Sequence, residues 1–284
     1  MPNPSGLLYI VATPIGNLAD ISARAREVLA TVDVILCEDT RHSRRLLDHL
    51  GVTTPLRSHH EHNETQSCES LVQQLRGGQS LALISDAGTP LISDPGFPLV
   101  RAARAQGITV VPIPGPSALI CALSAAGLAS DRFLFLGFAP RTAAKRQSLL
   151  ESVSQEPGTL IFYESGRRIL AMLDDCAATL GATRRAVVAR ELTKRFETFL
   201  DGTLAALATQ LAAEPEQCLG ELVVLIAGAD KVDDALSAEQ QRVLEILLAE
   251  QLPVRQVADL AARISGGARN VLYRAALAAR NRED

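Results

Sequence analysis

The chain has 284 residues, of which 47 % are hydrophobic and 21 % charged, with a formal net charge of −4. This length accommodates two compact domains with a small appendage, and this composition excludes a disordered or low-complexity chain. The weak negative charge excludes a molecule-wide basic field, so any nucleic acid must be met by a local patch.

Residues 7–12 (LLYIVA) read as a buried strand, and residues 21–30 as a helix with Asp20 as its candidate cap. Residues 32–37 give a second strand. Residues 40–50 give a helix that stops at Gly51, the position that favours left-handed backbone. A third helix covers 64–76 and a strand covers 80–84. Residues 97–106 form a helix closed by Gly107, ahead of a strand at 108–113. Strands alternating with short helices predict a mostly parallel sheet with helices on both faces. The prolines of PIPGP at 112–116 interrupt this pattern, and a helix begins at Ser117. A second series follows, with strands at 133–136, 159–163, 186–191 and 221–227 and a candidate strand at 195–200. Its helices cover 143–153, 168–180 and 204–212. DKVDD at 230–234 reads as a charged linker, and 238–250, 254–264 and 268–280 read as three short helices. The expected domains are therefore 1–116, 117–230 and a helical tail, 231–284.

Cys37, Cys68, Cys121, Cys176 and Cys218 are scattered and form no CxxC pair, which predicts free thiols in a reducing cytoplasm. No apolar run reaches the roughly 18–20 residues of a membrane span, so no membrane partner is expected.

Several loops carry the chemistry. The turn TPIGN at 13–17 has one glycine where a dinucleotide fold needs three, so a GxGxxG reading fails. The loop SDAGTPLISDPG at 85–96 follows the apolar run 81–84. Gly88 and Gly96 permit positive φ or close approach of a ligand. A phosphate cradle would present amides and a base; this loop presents Asp86 and Asp94 and no base. It suits a ligand that is cationic or rich in hydroxyls, such as S-adenosylmethionine. The bland reading is that Asp94 caps the next helix. In an open α/β sheet, the loops 13–17, 38–42, 85–96 and 112–117 converge beyond the strand ends.

All five histidines lie between 42 and 62. The run HHEH at 59–62 lacks a known metal-ligand spacing, so no metal is expected; it reads as a polar rim that could hold a general base. The segment ARELTKRFE at 189–197 is either a surface ion-pair cluster or the wall of an active site, and YES at 163–165 carries the same ambiguity. In the tail, Arg255, Arg263, Arg269, Arg274, Arg280 and Arg282 outnumber Asp259, Glu283 and Asp284. Both a helix–turn–helix that binds nucleic acid and a plain helical packing module fit that pattern.

Taken in order, TPIGNLADIS (13–22), CEDTRHSRRLL (37–47), HEHNE (60–64), SDAGTPLISDPG (85–96), PGPSA (114–118), IFYES (161–165) and ARELTKRFE (189–197) resemble one family. It is the small-subunit ribosomal RNA methyltransferase I family, cytidine 2′-O-methyltransferases of the tetrapyrrole methylase superfamily. The chain departs from the YES-x-HR pattern at Gly166-Arg167-Arg168. The resemblance implies two α/β domains of tetrapyrrole-methylase type, with S-adenosylmethionine in the cleft between them, and a small helical module at the C-terminus. It implies cofactor contacts from Pro14, Ile15, Asp86, Ala87, Gly88, Thr89, Ser117 and Ala118, with Tyr163 and Leu192 closing from the second domain. It implies a homodimer, and as substrate a cytidine in the decoding region of 16S rRNA; the acidic balance of the chain points to the assembled small subunit rather than naked RNA as the form that is met.

Transfer of a methyl group to a ribose hydroxyl needs in-line alignment and a proton acceptor or a stabilising cation. By residue type and loop position the candidates are Lys194 and Glu191, with Glu61 or His62 from the first domain. Arg41, Arg44, Arg45, Arg167 and Arg168 are the candidate RNA contacts. Two other readings use the same loops: a precorrin-type C-methyltransferase, and a non-enzymatic RNA-binding assembly factor.

Overall fold

Short apolar runs bounded by glycine and proline turns become strands in both halves of the chain. The computed structural model describes residues 6–60, 64–229 and 236–280, which fall into two units, Met1–Gly228 and Ala229–Asp284. In the first unit, β1 (Leu8–Val11), β2 (Val34–Cys37), β3 (Leu56–Ser58), β4 (Leu81–Ile84) and β5 (Val110–Ile113) form a sheet in the order β3-β2-β4-β1-β5. All its recorded pairings are parallel, with Leu8 opposite both Leu81 and Val110. Alternating side chains divide between the faces. Val11, Ile35, Ala82 and Ile84 pack on α1 (Ala23–Thr31) and α2 (Thr40–Leu50). Leu8, Leu36, Leu81 and Leu83 pack on α3 (Glu64–Arg76) and α4 (Phe97–Ala105). The parallel sheet covered on both sides is the one the alternation predicts.

Helix boundaries follow from the caps. Helix α2 has the expected span, because the Asp39 carboxylate accepts the Arg41 amide at 2.8 Å and Gly51 adopts φ 70°. Helix α1 starts later than expected. Leu18–Asp20 form a single 3-10 turn, and the Ser22 hydroxyl caps α1 by accepting the Ala25 amide at 3.1 Å. Asp20 lies inside that turn, two residues too early to reach the orphan amides of α1.

The second sheet departs from the first in topology. It contains β6 (Phe133–Phe138), β7 (Thr159–Ser165), β8 (Arg185–Arg190), β9 (Thr198–Thr203) and β10 (Glu221–Ile226), in the order β6-β7-β10-β8-β9. Only β6 and β7 pair in parallel; β7–β10, β10–β8 and β8–β9 are antiparallel. The candidate strand at 195–200 is therefore displaced to β9, and residues 191–197 make the turn from β8. Helix α5 (Ala118–Ala125) covers one face through Leu119, Ala122 and Leu123, against Ile161, Val187 and Val223. Helices α6 (Ala143–Ser152), α7 (Ile169–Leu180) and α8 (Leu204–Ala213) cover the other, against Phe162, Val188 and Val224. Ile15, from the turn after β1, belongs to the α5-side cluster, so the first half is packed into the second.

The other unit is three helices, α9 (Ala238–Ala249), α10 (Val254–Ser265) and α11 (Arg269–Arg280), around Leu244, Val257, Ala261 and Leu272. Ser237 and Gln240 form a reciprocal capping box at its start. The expected linker at 230–234 lies outside the described residues. No described helix is long and apolar enough to cross a membrane.

Candidate active site

Parallel pairing puts the carboxyl ends of β1, β2, β4 and β5 at one edge of the first sheet, and hydrogen bonds tie their loops together there. Thr13 and Gly88 exchange amide bonds of 2.9 and 3.1 Å. The Asp39 amide donates to Asp86 Oδ1 at 3.3 Å, and the Thr89 hydroxyl donates to the Pro116 carbonyl at 3.0 Å. From the second half, the Tyr163 hydroxyl accepts the Leu119 amide at 3.2 Å, satisfying an orphan donor in the first turn of α5.

A cavity of about 410 Å³ opens between these loops and the second sheet, within the range of small-molecule sites. Its first wall is Ile15, the run Asp86–Ala87–Gly88–Thr89, and Ile92–Ser93–Asp94; Ser117 and Ala118 at the N-terminus of α5 add to it. The opposite wall is Phe138, Tyr163, Glu164, Ser165, Leu192 and residues 220–223. Gly88 has φ 83°, and a side chain there would press on Ile15 Cγ2, so glycine is needed to keep this wall thin.

Apolar and acidic surface thus alternate around the cavity. Glu164 is 2 % exposed and pairs with Arg168 at 3.0 Å. Burial, with Glu38 nearby, raises Asp94 to about 6 against a hydrogen bond from Ser85, and Asp86 adds to the rise. Burial also raises the Tyr163 phenol. The loop carrying Asp94 is contorted, since Leu91 and Ser93 adopt φ 72° and 67°. Non-glycine residues adopt this backbone only where the surroundings impose it.

Nine of the ten expected cofactor residues, Ile15, Asp86, Ala87, Gly88, Thr89, Ser117, Ala118, Tyr163 and Leu192, therefore meet around one cavity. Pro14 is buried in the same turn and is not among the lining residues. Asp94 is on the wall and does not cap α4. The N-cap of α4 is Gly96, which has no side chain to cap with; its own amide donates to Glu64 Oε2 at 2.9 Å.

Lys194 and Glu191 stand behind the wall. Lys194 Nζ donates to Glu191 Oε1 and to Glu221 Oε2, both at 3.0 Å, and Glu191 Oε1 also accepts the Glu221 amide at 3.0 Å. Burial works against ionisation of both, yet these bonds prevail, lowering the Glu191 carboxyl and raising the Lys194 ammonium. Glu191 adopts φ 51° and Thr193 φ 64°. Gly16 comes so close that a Cβ there would lie 2.5 Å from Lys194 Cγ. The pair therefore fixes the position of Glu221 and of the turn after β1. Glu61 and His62 lie outside the described residues.

Of the candidate RNA contacts, Arg41, Arg45 and Arg167 are exposed and Arg44 is half-buried on the same helix as Arg41. Arg168 points inward, to Glu164 and to the carbonyls of Ala139 and Pro140. Gly166 is dictated by the fold, because a Cβ there would sit 1.7 Å from the Cys218 carbonyl oxygen. Glu164 and Ser165, left open between surface and wall in the sequence, lie on the wall, whereas Ile92, Ser93, Phe138 and residues 220–223 were not singled out. The last stretch comes to the cavity only through the antiparallel placement of β10 beside β7, a long-range pairing with no local signal.

The sequence matches a known class: residues 7–208 fit the family described as Tetrapyrrole (Corrin/Porphyrin) Methylases. Two solved structures share the fold. The methyltransferase CobJ has a TM-score of 0.58 at 19 % identity, covering 80 % of this chain and 97 % of that one. Uroporphyrin-III C-methyl transferase from Thermus thermophilus, complexed with S-adenyl homocysteine, has a TM-score of 0.55 at 18 % identity, covering 79 % and 98 %. Residues 234–280 fit a second family, described as the RsmI C-terminal HTH domain. Relatives named ribosomal RNA small subunit methyltransferase I are closer in sequence. That of Pseudomonas aeruginosa is 54 % identical over 96 % of this chain and 97 % of its own length. That of Xylella fastidiosa strain Temecula1 is 55 % identical over 94 % and 98 %, and that of Escherichia coli O157:H7 50 % over 97 % and 96 %. The chain belongs to the ribosomal RNA small subunit methyltransferase I family.

Proposed function

We propose that this chain transfers the methyl group of S-adenosylmethionine to the 2′-hydroxyl of a cytidine in the decoding region of 16S rRNA, within the small ribosomal subunit. It acts in the cytoplasm as a homodimer. Near-full-length membership of the family supports the reaction, and the cavity at the carboxyl edge of the first sheet is the observation that carries the site.

The residues present fit the cofactor. Ile15, Ala87, Ala118 and Leu192 offer apolar surface to its base and methylene chain, and Asp86 and Thr89 offer acceptors to hydroxyl or ammonium groups. The N-terminus of α5 offers amides and a positive dipole end to a carboxylate. When bound, the cofactor supplies a methyl group on a sulfonium centre. The walls exclude water and align the acceptor oxygen with that methyl. Lys194 and Glu191 hold the wall in register through Glu221. Arg41, Arg44, Arg45 and Arg167 meet RNA phosphates around the cavity, so binding weakens as salt rises. In this reading Arg168 serves Glu164 instead.

The test is methylation of purified small subunits, of free 16S rRNA and of a tetrapyrrole with radiolabelled S-adenosylmethionine, followed by mapping of the site protected from alkaline cleavage. A protected cytidine linkage in the small subunit is expected. Labelling of a base, or of the tetrapyrrole alone, would refute the proposal.

A further inference from the structure

We infer that Asp94 is the proton acceptor for the attacking 2′-hydroxyl, a role that rests on the methyl-transfer reading above. Among the described residues, four carboxylates line the cavity: Asp86, Asp94, Glu164 and Glu221. Three are committed elsewhere. Asp86 accepts the Asp39 amide at 3.3 Å and braces the β2 loop. Glu164 is held by Arg168 at 3.0 Å and by the Ser165 amide at 2.8 Å. Glu221 is held by Lys194 at 3.0 Å, and its side chain is 79 % exposed, where water would compete for the proton.

Asp94 is held by neither kind of partner. Among the described residues it pairs with no cation and accepts no backbone amide, and its hydrogen bond comes from the Ser85 hydroxyl. It sits on the cavity wall within the electrostatic reach of Glu38 at the end of β2, of Ser85 and Asp86 at the end of β4, and of Tyr163 on β7. The positive φ angles of Leu91 and Ser93 hold the segment that carries it, and Glu64 ties down the Gly96 amide two residues further on. A strained loop that presents a carboxylate with no cation partner to a cavity is the arrangement that positions a base in advance. Its affinity for a proton also suits the task, since a base titrating near 6 is ionised at neutral pH and still accepts a proton readily.

In the step, the ribose oxygen forms a bond to the methyl carbon as the carbon–sulfur bond breaks and its electron pair stays on sulfur. The hydroxyl proton passes to a carboxylate oxygen of Asp94. One positive and one negative charge disappear together, leaving a neutral thioether and a neutral carboxyl. A low-dielectric cavity favours such mutual neutralisation.

The experiment compares the full-length protein with Asp94→Asn in single-turnover methylation of small subunits from pH 5 to 9, with calorimetric binding of S-adenosylmethionine alongside. The wild-type rate is expected to rise with pH through a midpoint near 6. Asp94→Asn should lose that limb and slow by about 10²–10⁴-fold, while cofactor affinity stays within about threefold. Asp94→Glu keeps a carboxylate and serves if the Asn variant fails to fold; it should retain the limb at a reduced rate, and a flat profile would overturn the assignment. An Asn variant at the wild-type rate would overturn the base alone, as would an affinity loss beyond about tenfold, which would make Asp94 a cofactor ligand. A wild-type protein that binds cofactor but leaves the small subunit unmethylated would sink the parent reading together with it.

Discussion

Replacing Arg168 with methionine keeps the length of the side chain and removes the cation that pairs with Glu164, whose side chain is 1 % exposed. Opening a buried ion pair from one side costs about 3–5 kcal/mol, because a desolvated carboxylate is left uncompensated. Arg168 is itself 28 % exposed, so water can partly replace it, and about 2–3 kcal/mol is expected. For a unit of this size that lowers Tm by roughly 5–10 °C. Urea unfolding should show a lower midpoint with an unchanged slope. Adding Glu164→Gln should restore part of the loss, because the two residues are coupled. If Arg168→Met leaves the midpoint in place, weakens RNA binding and flattens its salt dependence, the guanidinium faces phosphate and the inward reading is refuted.

Ser22→Ala should cost about 1 kcal/mol through the lost α1 cap, whereas Asp20→Ala should be nearly neutral in the same denaturation assay; the reverse order would restore Asp20 as the cap. Gly16→Ala puts a methyl group 2.5 Å from Lys194 Cγ and 3.1 Å from the Leu192 carbonyl oxygen. It should weaken S-adenosylmethionine binding by roughly tenfold, as overpacking of this kind costs about 1–3 kcal/mol, and calorimetry would reveal it. Because the fold raises Asp94 to about 6 from 3.8, the native state binds more protons than the unfolded one between those values, so this residue's contribution to stability falls as pH rises from 4 to 6. Asp94→Asn should therefore be more stable than wild type at pH 7.5 by about 1–2 kcal/mol and show a weaker pH dependence in that window. Equal stability at pH 7.5 would contradict the buried, cation-free setting.

The parts of the site legible in the sequence are those made by local chemistry. The glycines and prolines of 85–96 and 112–117 betray loops that must bend sharply, and their position after apolar runs puts them at strand ends. Helix α2 is legible for the same reason, since both Asp39 and Gly51 lie at its ends. Strand direction was not legible. β7, β8 and β10 read TLIFYES, RAVVAR and ELVVLI, runs almost wholly buried because helices cover both faces. Such runs resemble parallel strands, yet three of the sheet's four pairings are antiparallel. β3 offers three residues at a sheet edge, too few for any period to register. Asp94 was ambiguous because an acid ahead of a helix commonly caps it. The helix instead takes Gly96, two residues beyond Asp94, as its N-cap, and Asp94 lines the cavity.

The strand order of the first sheet also sets a timetable for synthesis. β1 is made first, but its partners are β4 and β5, which follow roughly 70 and 100 residues later. At about 5–20 residues per second, β1 waits on the order of 4–15 s for its first neighbour. During that interval Leu8, Ile10 and Val11 have no sheet to join, and β2 has only the short β3. The carboxyl edge that forms the cavity is thus assembled last in its own half, when β5 docks and carries Pro116, Ser117 and α5 into place.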